Sequence, residues 1–79
     1  MKIYNNILII FNAVNHRIIN SQKHTETELI NKYINFGVIH TLFALDIINS
    51  AQYELLYQKI NALECITIHD LYNIKILEE

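Results

Sequence analysis

Seventy-nine residues suffice for one domain but leave little interior, and a single cysteine, Cys65, excludes any intrachain disulfide. The formal charge of −2 is built from six scattered cations, Lys2, Arg17, Lys23, Lys32, Lys59 and Lys75, which argues against the clustered charge that displaces phosphate counterions. Apolar residues make up 52% and charged residues 18%, more greasy side chain than so short a chain readily encloses.

With one glycine, Gly37, and no proline, the chain lacks the usual punctuation of tight sheet turns, whereas helical hairpins turn on Asn, Ser or Asp. The expected fold class is therefore all-α: a single domain over 1–79, a three- to four-helix bundle built on a central apolar helix. The longest apolar run, Ile7–Phe11, falls far short of the roughly 20 residues that span a bilayer. Asn5, Asn6, Asn12 and Asn15 interrupt the N-terminus too often for a signal-peptide core. With the free cysteine, this predicts a cytoplasmic protein.

In chain order, Ile3, Ile7, Ile10, Val14 and Ile18 recur at helical spacing and predict a first helix over about 3–20, widened by Tyr4, Leu8 and Phe11. Ile9 falls outside that stripe, and a β-branched strand at 7–11 is the competing reading. Asn20–His24 is polar and aperiodic, a loop. Thr25 and Glu28 have capping-box spacing, Glu28 and Lys32 an i,i+4 ion pair, and a second helix is expected over about 26–46. Apolar residues cover most of its wheel, which suits the middle of a bundle or an oligomer interface. Gly37 inside it costs about 1 kcal/mol relative to Ala. Either another helix approaches closely there, within the bundle or across a dimer, or the helix breaks.

Asn49 and Gln52 form a second capping box, with Ser50 as an alternative cap, opening a third helix over about 50–64. Tyr53, Leu56, Tyr57, Ile60 and Leu63 share one face, with Leu55 opposite. Thr67 and Asp70 then cap a short fourth helix bearing Ile68, Leu71, Tyr72 and Lys75, unless Ile66–Ile68 is extended. The stretch LFALDIINSAQYELLYQKI, Leu42 to Ile60, resembles the helix–cap–helix hairpins of SHOCT type and of many small phage proteins. Asp46 stands where that hairpin has its turn glycine, and Gln52 where it has an acid. The likeness follows from capping alone and assigns no family.

Little here carries chemistry. Cys65 and His69 at i,i+4 could ligate a metal with His16, His24 or His40, but the paired spacing of zinc sites is missing. A buried thiol beside a helix-start histidine is the simpler reading. Cys65, His69 and Asp70 include a thiol, a base and an acid, yet neighbours on one short element do not converge around a substrate. No glycine-rich loop exists to cradle phosphate. No catalytic residue, cofactor or metal is expected, and the protein is read as non-enzymatic. His40, on the apolar second helix, would need a hydrogen-bond partner if buried.

What remains is surface. Five tyrosines and the apolar surplus point to a protein partner, with Ile9, Ile39, Leu42, Tyr53, Leu55 and Tyr57 as candidate contacts and a homodimer expected. Abundant Ile and Asn look like an AT-rich coding bias, as in a low-GC bacterium or its phages. The functional expectation is an accessory protein of a phage or mobile element that inhibits or regulates a host protein, an anti-CRISPR being one example. Two alternatives stand beside it. One is a helix-turn-helix DNA-binding regulator, with Ser50 and Gln52 opening its recognition helix; the other is a bacteriocin-immunity type of helical protein.

Overall fold

The computed structural model describes residues 2–71, with side chains from Asn6 onward. The expectations for the side chains of Ile3 and Tyr4, and for Tyr72 and Lys75, lie outside these. Helices α1 (Lys2–Lys23), α2 (Glu28–Ala44), α3 (Ser50–Asn61) and α4 (Ile68–Leu71) follow one another, with one 3-10 turn, Thr25–Thr27, between α1 and α2. No strand forms among the described residues, so neither 7–11 nor 66–68 is extended into a sheet. The all-α expectation holds. α2 packs against both α1 and α3 and is in that sense the central helix.

One core joins all four helices. Ile7, Phe11, Val14 and Ile18 of α1 meet Ile39 and Leu42 of α2, Ile48 in the turn, Leu56 and Ile60 of α3, then Ile66 and Leu71. The predicted stripe of α1 is thus its buried face. α1 nevertheless runs three residues past its expected end. Asn20–Gln22 are polar because they meet polar partners, not because they form a solvated loop. Ser21 is buried and its hydroxyl donates to the Arg17 carbonyl at 2.9 Å, while Gln22 Nε2 donates to the Leu63 carbonyl at 2.6 Å.

The same polar layer sets the α1–α2 register. Asn35 is fully buried; Arg17 Nη1 donates to its Oδ1 at 3.1 Å, and its Nδ2 donates to the Val14 carbonyl at 3.4 Å. Asn31 Nδ2 lies within 3.3 Å of the Arg17 carbonyl, and within 3.1 Å of Asn20 Oδ1 and of Ser21 Oγ. A buried amide left without these partners would cost about 1–3 kcal/mol, so a slipped register is penalised.

Helix ends explain the scarcity of glycine. The Thr25–Glu28 box does not form: residues 25–27 wind as a separate turn, and the Thr27 hydroxyl instead reaches Asn20 Oδ1 and the His24 carbonyl, each at 2.7 Å. Glu28 makes its expected ion pair with Lys32 at 3.0 Å. The Asn49–Gln52 box forms in both directions at 2.8 Å. Thr67 and Asp70 also cap α4 reciprocally, at 2.9 and 3.2 Å. After α2, the Asp46 and Ile47 amides donate back to the Phe43 and Leu42 carbonyls; after α3, the Leu63 and Glu64 amides donate to those of Ile60 and Lys59. These are Schellman closures, which need a left-handed residue, and here Asp46 (φ 61°) and Leu63 (φ 58°) supply it in place of glycine.

Candidate interaction surface

The six residues predicted as partner contacts separate into distinct groups. Ile39 and Leu42 are core: Ile39 is 0% exposed and Leu42 nearly covered, so neither is available to a partner in this fold. They belong with Asn35 on the one buried stripe of α2, which the near-continuous apolar wheel concealed. Ile9 is 63% exposed and borders a groove of about 360 Å³ at the α1–α2 seam, lined also by Ile10, Ala13, Val38, Thr41 and Leu42, with Arg17 as its one charged residue. Tyr53 and Tyr57 line the opposite seam, between α2 and α3. Tyr57 stacks on Phe36 at 4.6 Å, and Tyr53 meets Phe43 at 5.2 Å and the edge of His40 at 6.4 Å. Leu55 lies on the far flank of α3, at a shallow cavity of about 450 Å³ with Asn49, Ala51, Gln52 and Asp70. Leu55 is therefore apart from the rest.

For the residues that connect Ile9 to the tyrosine seam, the apolar wheel of the second helix left open the middle of a bundle or an oligomer interface. Leu29, Ile30, Tyr33 and Ile34 are open to solvent, Leu29, Ile30 and Tyr33 at 62–67%, so this part of the helix is not the middle of the bundle. They sit opposite the Asn35–Ile39–Leu42 stripe, where helical spacing puts them on one outer face with Gly37, Thr41 and Ala44. Gly37 is exposed inside an unbroken helix, and a Cβ built there meets no atom within 4 Å. Its expected compensation by close helix approach within the bundle is absent. His40 is exposed on the same side, so the buried-histidine reading does not apply.

This outer face is uncharged. The two charged residues of α2, Glu28 and Lys32, pair with each other toward the inner side. Apolar surface therefore runs from the Ile9 groove, across the outside of α2, to Phe43 and Tyr57. From the fractional exposures, Leu29, Ile30, Tyr33 and Ile34 alone present on the order of 500 Å², as large as the largest patch on a typical monomer.

Other chemistry finds no such assembly. Cys65 precedes α4, so it does not share a helical face with His69, and among the described residues no three His, Cys, Asp or Glu side chains gather to hold a metal. Gln52, the proposed base-reading residue, is buried, with its Oε1 accepting the Asn49 amide, and it cannot reach a base edge. Among the described residues no helix is long and apolar enough to cross a membrane. Asp70 feels desolvation that raises its pKa, but the Thr67 amide and the Lys59 ammonium at 3.1 Å outweigh it and hold the carboxyl below the usual range. That arrangement ties α4 to α3 and is structural. Comparison with protein families, curated proteins and solved structures finds no match to this chain.

Proposed function

We propose that this chain is a small non-enzymatic interaction module whose working surface is the outer face of α2 with its flanking seams. The observation that supports this most is the exposure of Leu29, Ile30, Tyr33 and Ile34 side by side on one uncharged helix face. At roughly 25 cal/mol per Å², hydration of such a patch is a standing cost that a partner relieves. Tyr33 and Tyr57 add the rigid, amphipathic area favoured at interface hot spots. A cytoplasmic accessory protein of a phage or mobile element, binding a host protein to inhibit or regulate it, fits the small size, the AT-rich residue usage and the missing chemistry.

The test compares the wild-type chain with Ile30→Glu as baits in a low-GC host lysate, followed by calorimetry with the purified captured protein. A host protein that binds the wild type and loses binding to Ile30→Glu supports the reading; equal binding by both removes the α2 face from it. Retention on heparin with steep salt dependence would favour the DNA-binding alternative instead.

A further inference from the structure

We infer that a second copy of the chain covers the outer face of α2, laid antiparallel with the two-fold axis at Gly37. This rests on the interaction-surface reading above and specifies the partner.

Three observations carry it. First, side-chain size is graded along the face. The N-terminal half bears Leu29, Ile30, Tyr33 and Ile34, all exposed, and the C-terminal half bears Gly37, Thr41 and Ala44 with one larger side chain, His40. An isologous pair about Gly37 sets residue i opposite residue 74 − i, so Tyr33 meets the small Thr41 of the mate and Ile30 meets its Ala44. At the centre of the pairing large side chains thus fall on small ones in both directions, as packing requires, while toward its lateral edges Ile34 faces His40 of the mate and Leu29 faces its Leu45. Second, a Cβ built at Gly37 meets nothing within 4 Å beyond its own helix backbone, so no other part of the chain packs there. At the axis, two facing glycines let the helix backbones approach closely, which gives this otherwise uncompensated residue a use. Third, the face bears no Asp, Glu, Lys or Arg to match or repel, since Glu28 and Lys32 lie off it and satisfy each other at 3.0 Å. Two such faces bury on the order of 1,000 Å² from the four large side chains alone, reaching the lower bound of specific interfaces before the rim is counted.

Disulfide trapping reads the register directly. In a Cys65→Ser background, Gly37→Cys should oxidise to a covalent dimer far faster than Asn61→Cys, an exposed control on α3. Ile30→Cys alone should not cross-link, because its mate lies about 21 Å away along the antiparallel helix. Mixed with Ala44→Cys, it should. Light scattering should show a wild-type dimer, and Ile30→Glu should raise its dissociation constant about 30-fold or more, with unchanged circular dichroism. A wild-type monomer at high micromolar concentration, or self-linking of Ile30→Cys, overturns the antiparallel pairing. Should that monomer still lose a host partner on Ile30→Glu, self-pairing fails while the interaction reading stands. If Ile30→Glu alters neither self-association nor heterologous binding, both fail.

Discussion

The side-chain amide of Asn15 holds the backbone of Ile66 at both ends: Nδ2 donates to its carbonyl at 2.8 Å and Oδ1 accepts its amide at 2.7 Å. Fifty-one residues separate them. The pairing imitates one rung of a sheet and pins the segment after α3 to the middle of α1, where Ile66 enters the core.

Replacing Asn15 by Ala removes both bonds and leaves two partly buried backbone groups without partners. The expected loss is about 2 kcal/mol of unfolding free energy, measured by urea titration. The Ile66 amide should show faster hydrogen exchange than amides in α2. A loss under about 0.5 kcal/mol would mean that water replaces the clamp.

Ile39 and Ile30 lie on the same helix with opposite surroundings, one sealed in the core and one open to solvent. Ile39→Ala should cost about 3 kcal/mol through lost burial and a residual cavity. Ile30→Ala should stay within about 0.5 kcal/mol in dilute solution. Chemical denaturation of both variants checks the orientation of α2 directly, since a rotated helix would exchange the two results.

Gly37→Ala should stabilise the dilute protein by about 1 kcal/mol, because the added methyl meets open space and the helix gains propensity. At concentrations where the chain self-associates, this gain should shrink or reverse, as two methyls crowd the axis. Thermal melts over a range of concentrations separate the two regimes.

Because the folded pKa of Asp70 lies below its ordinary 3.8, the ionised carboxylate contributes stability above that value and the contribution is lost as pH falls through the folded pKa. Acid titration should therefore weaken the attachment of α4 to α3 below about pH 4. In Asp70→Asn that component of the acid transition should be missing. Hydrogen exchange at Leu71, whose side chain is buried, reads the attachment.

The sequence revealed the helices far better than their orientation. Ile7, Val14 and Ile18 name the buried stripe of α1 because polar residues break the apolar pattern around them. On α2 the pattern is nearly continuous, so periodicity could not say whether Ile39 or Ile30 faced inward. The clue was Asn35, which is buried because Arg17 and the Val14 carbonyl satisfy it, and a polar residue ordinarily marks the outside. The Asn49–Gln52 cap was readable because it is local, whereas the Thr25–Glu28 cap was not, since Thr27 answers to Asn20 on another helix. Asn15 gave no signal at all: its partner is distant in sequence and is backbone.

Asp46 and Leu63 hold their left-handed conformations at a steric cost of roughly 1–2 kcal/mol each, which glycine would not incur. Both helix ends are thus reservoirs of unused thermal tolerance. Asp46→Gly should release up to about 1 kcal/mol and raise the melting temperature several degrees. Leu63→Gly should return less, because Leu63 also packs against the core. Hardening the scaffold at Asp46 leaves the outside of α2 untouched, so a chain made sturdier there can accept disruptive changes on its binding face without unfolding.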